Sequence, residues 1–230
     1  MYRFFAEQSA CKGEYIRICG ADWNHMKNVL RLKTGEQVTV SDGSDREYIC
    51  EITEYLEEEA RLRVLDILDS AAELPTEITL YQGFPKGDKL ELIIQKAVEL
   101  GATRIVPVMT KRSIVKLDEK KAAKRIERYN AIALSAAKQS KRSRIPTVEP
   151  VMTFTQALQD AAGLEMNLIP YEDARGIRYA KDVIHRVPGR KTLGIFIGPE
   201  GGFEEAEVEA AKKIGAECIT LGHRILRTET

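Results

Sequence analysis

Near the C-terminal end, the apolar run Gly194-Ile195-Phe196-Ile197 feeds the turn Gly198-Pro199-Glu200-Gly201-Gly202, and a helix is expected from about Phe203. A second run, Glu217 to Leu221, feeds another turn at Gly222, with Arg227, Thr228, Glu229 and Thr230 beyond it. Strand ends that deliver glycine turns are where open α/β sheets hold ligands. A phosphate cradle needs a Lys and a Ser or Thr after its glycines, or at least an uncluttered helix N-terminus. Here no Lys follows the glycines, Glu200 sits inside the turn, and Glu204, Glu205 and Glu207 open the helix. Acids suit the first turn of a helix dipole and repel pyrophosphate. A neutral or cationic ligand held by exposed backbone groups fits better, and the sulfonium of S-adenosylmethionine is such a ligand. The same glycines also fit a strand-turn-helix corner that needs only positive φ.

The elements that must position these turns follow from pattern. Residues 1 to 70 carry short runs that alternate polar with apolar: Arg3 to Phe5, Tyr15 to Ile18, Gln37 to Val40, Tyr48 to Ile52 and Ala60 to Val64. Asp42-Gly43 between two of them signals a hairpin. One helix is expected from about Asp22 to Leu32, with Asp22 as its N-cap and Gly35 past its end. Many short strands with little helix suggest a small barrel. Residues 71–76 resemble a linker, and the pattern then changes. A strand from Glu77 to Tyr81, helical spacing of Leu90, Ile93, Ile94, Ala97 and Val98, and a strand from Arg104 to Val108 make a βαβ unit. A long helix is expected over Glu119 to Gln139. Strands recur at Met166 to Ile169, Leu193 to Ile197 and Glu217 to Leu221. Helices are expected near Thr153 to Ala161, Ile177 to Arg186 and Phe203 to Ile214. This alternation over residues 77–230 predicts an α/β domain with a parallel sheet.

The totals exclude several classes. At 230 residues and 43% apolar content the chain can bury a real core. No apolar run approaches the length needed to span a bilayer, and Met1 to Phe5 has no signal-peptide core, so the chain reads as cytoplasmic. Cys11, Cys19, Cys50 and Cys218 lack zinc-site spacing, and His25, His185 and His223 are dispersed, so no metal is expected. The net charge is zero, yet Lys111 to Arg144 holds 12 Lys and Arg against 3 acids, a local +9 that the rest of the chain balances. Clustered basic charge is the footprint of a polyanion partner, here RNA, or else a solvated helix face.

The Gly198 to Gly202 turn, the stretch from Leu221-Gly222 to Arg227-Thr228-Glu229-Thr230, and the early His25-Met26-Lys27-Asn28-Val29-Leu30-Arg31 together resemble one family. It is the bacterial 16S ribosomal RNA uracil-N3 methyltransferases (small subunit methyltransferase E) of the SPOUT superfamily. The resemblance runs from Tyr2 to Thr230. It implies a PUA-like RNA-binding β-barrel over residues 1–70 and a SPOUT α/β-knot methyltransferase domain over 77–230. In that domain the C-terminal third would form a deep trefoil knot, a feature that periodicity cannot reach because knots are nearly absent among folds. Relatives continue into a final helix that completes the knot, and such a helix is expected after Thr230. The resemblance further implies S-adenosyl-L-methionine as cofactor, a homodimer, and a uridine near the decoding centre of 16S rRNA in the small ribosomal subunit as substrate.

In this superfamily the cofactor lies between loops from three strand ends. Here those are Ile169-Pro170-Tyr171-Glu172, Ile197 to Gly202, and Leu221 to Thr228. Candidate cofactor-binding residues are Ile169, Pro170, Ile197, Gly198, Pro199, Glu200, Gly201, Gly202, Leu221, Gly222, Ile225, Leu226 and Thr228, with Ile225 and Leu226 walling the adenine or else forming core. Uracil N3 must lose its proton to become a nucleophile, so a cation or a general base is needed. Arg227 is the candidate to stabilise the deprotonated base, or to grip a phosphate as a fork. Glu200 and Glu172 are candidates to steer the sulfonium or take the proton, and Glu200 equally suits a helix cap. The RNA candidates are His25, Lys27, Arg31 and Lys33 near the barrel helix, and Lys111, Arg112, Lys116, Lys138, Gln139, Lys141, Arg142 and Arg144 in the basic run. Such contacts position RNA without reading sequence, and base access needs an unpaired or flipped nucleotide. Lys138 departs from the family, in which many relatives carry an acid there. Two other functions stay open: a non-catalytic RNA-binding assembly factor, and a nucleotide-binding oxidoreductase, which the acids near the turn disfavour.

Overall fold

The computed structural model describes residues 1–11, 13–44, 46–113, 119–172 and 175–230. They form two units, one of Met1–Glu73 with Ala137–Ile145 and one of Leu74–Ala136 with Pro146–Thr230.

The N-terminal unit has β1 (Arg3–Phe5), β2 (Tyr15–Cys19), α1 (Gly20–Asn24) running on into a wider π turn (His25–Val29), β3 (Gln37–Ser41), β4 (Arg46–Tyr55) and β5 (Glu59–Asp69). The strands order as β1-β3-β4-β5-β2, so β1 and β2 are edges and the sheet is a half-barrel. β1 runs parallel to β3, and the other pairs are antiparallel. Alternation decides the core: Ile16 and Ile18 on β2 turn inward, opposite Leu62 and Ala60, and pack with Phe4, Met26, Val38, Val40 and Ile52. The helix starts two residues earlier than expected. Cys19 is its N-cap, without a side-chain cap bond, and Asp22 lies in the first turn. Its carboxylate accepts instead from Lys138 Nζ at 2.5 Å and from Phe5 N at 3.5 Å. Burial pushes the Cys11 thiol up to about 11 and the Cys50 thiol to about 12, so both remain protonated packing groups.

Residues 137–145 belong to this unit and are stitched to it by buried polar contacts. Arg142 is 2% exposed and donates to Glu73, with Nη2 to Oε2 at 2.6 Å and Nε to Oε1 at 3.3 Å. Glu73 Oε1 also accepts from the Ser143 and Arg144 backbone N–H groups at 3.0 and 3.1 Å. The Ser41 hydroxyl donates to Ser143 O at 2.6 Å.

The C-terminal unit contains β6 (Glu77–Gly83), α2 (Lys89–Glu99), β7 (Arg104–Met109), α3 (Glu119–Gln139, whose last three residues fall in the other unit), the two-residue β8 (Thr147–Val148) and β9 (Met152–Thr153), α4 (Phe154–Ala161), β10 (Met166–Pro170), α5 (Gly176–Ile184), β11 (Thr192–Ile197), α6 (Glu205–Lys213) and β12 (Glu217–Ile219). Its sheet is parallel, in the order β12-β10-β11-β6-β7-β8, with β9 against β7. Both faces are covered, as parallel sheets require. Tyr81, Val106, Ile169 and Phe196 pack with α4 and α6 through Ala157, Leu158, Val208 and Ala211. Met166, Leu168, Leu193 and Ile219 pack with Ala180 and Val183 of α5. Asp160 of α4 ties the first layer to two strands, accepting from Arg104 Nη1 at 2.7 Å and from Tyr81 OH at 2.5 Å.

β12 ends at Ile219 rather than Leu221, because the Thr220 hydroxyl accepts from Gly222 N at 3.2 Å and turns the chain off the sheet. α6 begins at Glu205, with Glu204 and Glu207 forming a reciprocal capping box. No helix among the described residues is long and apolar enough to cross a membrane.

Candidate functional site

The parallel order places the carboxyl ends of β10, β11 and β6 side by side, and Ile197 of β11 pairs with Gln82 of β6. The turn after β11 closes on itself: Gly202 N donates to Pro199 O at 2.8 Å, and Gly202 has φ +66°. A Cβ at Gly198 would lie 3.0 Å from Gly202 Cα, so only glycine permits this closure. Gly83 at the end of β6 is tighter still, since a Cβ there would lie 2.5 Å from Pro199 Cδ. Arg112 Nη1 donates to Gly201 O at 2.7 Å, and Lys111 N donates to Glu207 Oε1 at 2.9 Å. The acids after the turn therefore cap α6 and receive backbone donors.

Glu200 is not among those caps. Its carboxylate accepts from Lys86 N at 3.2 Å and lies 3.1 Å from Lys89 Nζ. Partial burial pushes this carboxyl up, but its own backbone N–H, Lys89 and the Lys86 N–H outweigh that and hold it below the usual carboxylate value. A carboxylate so satisfied is a weak proton acceptor. Glu172 stands exposed beyond β10.

The segment after β12 returns to the β11 turn. The Thr228 hydroxyl donates to Gly198 O at 2.6 Å and accepts from Gln82 Nε2 at 2.9 Å. Glu229 Oε2 lies 3.4 Å from Lys89 Nζ. Arg227 stays outside, its side chain 83% exposed, with Nη1 3.9 Å from Glu229 Oε1. Gly222 has φ +116°, and no atom lies within 4 Å of where a Cβ would stand on Gly222 or Gly202. Leu221, Ile225 and Leu226 are exposed beside these openings in the chain, so the alternative that Ile225 and Leu226 are core does not hold. Ile169 is buried in the sheet; Pro170 and Ile197 are partly buried at their strand ends.

The basic run is less available than its composition implies. Arg142 is buried against Glu73, which removes it from the RNA candidates. Lys138 is paired with Asp22, Arg128 lies 2.8 Å from Glu91, and Arg112 holds the glycine turn. Lys111, Gln139 and Lys141 are exposed, Arg144 is partly buried, and Lys116 lies outside the described residues. In the N-terminal unit His25, Lys27, Arg31 and Lys33 are all exposed, with the Lys27 ammonium 4.9 Å from the Trp23 ring centroid. Among the described residues, no group of three or more His, Cys, Asp or Glu is placed to hold a metal ion.

Sequence reasoning missed Gln82, Gly83 and Lys89. Only Gly83 had a signal: Gly83-Phe84-Pro85-Lys86-Gly87 follows a strand and opens a helix, as the other two glycine turns follow theirs.

Residues 72–230 match a family model described as an RNA methyltransferase domain, and residues 18–66 match an RNA methyltransferase PUA domain. Ribosomal RNA small subunit methyltransferase E of Bacillus subtilis is 37% identical, covering 100% of this chain and 92% of its own length. The protein of the same name from Mesomycoplasma hyopneumoniae is 30% identical, covering 100% and 95%. The crystal structure of ribosomal RNA small subunit methyltransferase E from Neisseria gonorrhoeae, bound to S-adenosyl methionine, superposes with a TM-score of 0.83 at 34% identity, covering 100% of this chain and 92% of that one. The chain thus belongs to the ribosomal RNA small subunit methyltransferase E family.

Proposed function

We propose that the protein methylates N3 of a uracil at a decoding-centre uridine of 16S rRNA in the small subunit, with S-adenosyl-L-methionine as cofactor. The observation that carries this reading is the fastening of the tail onto the β11 turn: the Thr228 hydroxyl holds Gly198 O while the adjoining Arg227 stays exposed. The residues present fit that cofactor. Gly202 and Gly222 leave open space beside the backbone, the exposed Ile225 and Leu226 suit an adenine face, and acids stand nearby for a sulfonium. When bound, S-adenosylmethionine supplies the electrophilic methyl group.

The chain's own part is to make N3 nucleophilic. The N3–H bond breaks, negative charge spreads to the uracil oxygens, and the Arg227 guanidinium stabilises that charge. Glu200 is held ionised by Lys89 and Lys86 N, so Glu172, exposed beyond β10, is the better acceptor for the proton. His25, Lys27, Arg31 and Lys33 supply phosphate contacts from the PUA-type unit. The tail's course from β12 past β10 to β11 and β6 supports the trefoil knot of the superfamily. The exposed Leu221, Ile225 and Leu226 support cofactor pockets completed at a homodimer interface.

Calorimetric titration with S-adenosylhomocysteine tests this. Saturable binding by the wild type is expected, and its loss in folded Gly198→Val and Gly222→Val. Absence of wild-type binding would leave the RNA-binding, non-catalytic function.

A further inference from the structure

The end of β6 and the start of α2 each supply a group that holds both the β11 turn and the tail. Gln82 is 1% exposed; its Nε2 donates to Thr228 Oγ1 at 2.9 Å and reaches Gly198 O at 3.4 Å. Lys89 Nζ lies 3.1 Å from Glu200 of the turn and 3.4 Å from Glu229 of the tail. The clasped tail residues, Thr228 and Glu229, directly follow Arg227. Beyond Gly222, the one backbone–backbone hydrogen bond of the tail among the described residues is local, from Thr230 N to Arg227 O. No ladder places this segment, so its side-chain clasps must.

The Thr228 hydroxyl has its donor on Gly198 O and accepts from Gln82. That engages it with the protein rather than with a ligand. Lys89 sits between two carboxylates, which raise its ammonium pKa and neutralise its charge locally. An arrangement of this kind suits a strut better than a phosphate contact.

We propose that Gln82 and Lys89 are positioning residues that set Arg227, and the apolar wall before it, against the Gly198 turn. Gln82 acts through Thr228, and Lys89 acts through Glu200 and Glu229. This rests on the cofactor reading above. It places the start of the RNA methyltransferase domain, rather than only its C-terminal third, in control of the reacting geometry.

The test uses the full chain with Thr228→Val, Thr228→Ser, Gln82→Leu and Lys89→Met, each checked for a wild-type thermal melt. Valine keeps the shape of threonine but removes the hydroxyl that donates to Gly198 O and accepts from Gln82, whose amide then keeps only Gly83 O and Gly198 O. S-adenosylhomocysteine affinity is expected to fall about tenfold in Thr228→Val and Gln82→Leu, and to stay within about twofold in Thr228→Ser. Lys89→Met is partly exposed and serves even if the buried variants unfold. Its kcat on small-subunit RNA is expected to fall about tenfold, with the RNA KM within about twofold. Wild-type binding by Thr228→Val, equal losses in Thr228→Ser and Thr228→Val, or a Lys89→Met defect confined to the RNA KM would each overturn the proposal. If the wild type binds no S-adenosylhomocysteine, the cofactor reading fails and this proposal falls with it, whereas wild-type binding with unaffected variants refutes this proposal alone.

Discussion

Arg227 and Glu200 sit on neighbouring loops and are treated oppositely by the fold. The guanidinium is exposed, while the carboxylate is held by Lys89 and a backbone N–H. Arg227→Ala should lower kcat about 100-fold while S-adenosylhomocysteine affinity barely changes, and Arg227→Lys should recover only part, because an ammonium lacks the planar fork. Steady-state kinetics beside calorimetry measures both. Because the Glu200 carboxyl is depressed below its ordinary 4.5, its bridge is fully formed above that value and is lost as pH falls through the lower folded value. Cofactor affinity should therefore be flat from neutrality down to the ordinary carboxylate range and weaken below it, and Glu200→Gln should remove that acid limb. The glycines, Arg227 and Glu200 were legible because they form one local pattern. Gln82 was not, because its partner lies 146 positions away, and no spacing rule spans that separation.

The helices and strands were largely readable from apolar period. The α3 helix and β1 have the expected bounds, and β2 to β5 extend the expected runs at one end or both. Departures have local causes. The π turn at His25–Val29 breaks the 3.6-residue period, β8 and β9 are too short to alternate, and the Thr220 hydroxyl ends β12 early. The return of residues 137–145 to the N-terminal unit depends on Glu73, whose carboxylate gathers Arg142, Ser143 N and Arg144 N in a buried site. Burial pushes that carboxyl up, but Arg142 and the two N–H groups prevail and hold it low. Glu73→Ala would remove the carboxylate that pairs with the buried Arg142 guanidinium and should destabilise the N-terminal unit by about 3–5 kcal/mol, measured as a shift in denaturant midpoint. A loss below about 1 kcal/mol would mean that Arg142 escapes to solvent.

Zero net charge conceals how the chain distributes its basic groups, and composition alone overstated the RNA surface. Part of the basic run is internal or paired, through Arg142, Lys138 and Arg128, whereas Lys27, Arg31 and Lys33 face solvent. Removing Lys27 or Arg31 should lower the salt dependence of RNA binding by about 0.7–0.9 per contact in log–log slope. Arg142→Met should leave that slope unchanged in the folded fraction; filter binding across a salt series distinguishes them. The parallel order β12-β10-β11-β6-β7-β8 was beyond sequence patterning, because period reports which face is buried and not which strand lies alongside. That order brings three strand-end turns to one edge and makes methyl transfer to RNA the chemistry to test. The decisive measurement is to incubate the protein with small ribosomal subunits and methyl-labelled S-adenosylmethionine, digest the RNA to nucleosides, and identify the labelled product by mass spectrometry. Label in 3-methyluridine from 16S rRNA is the predicted result. Label in another nucleoside, or none in RNA from a protein that binds the cofactor, would contradict it.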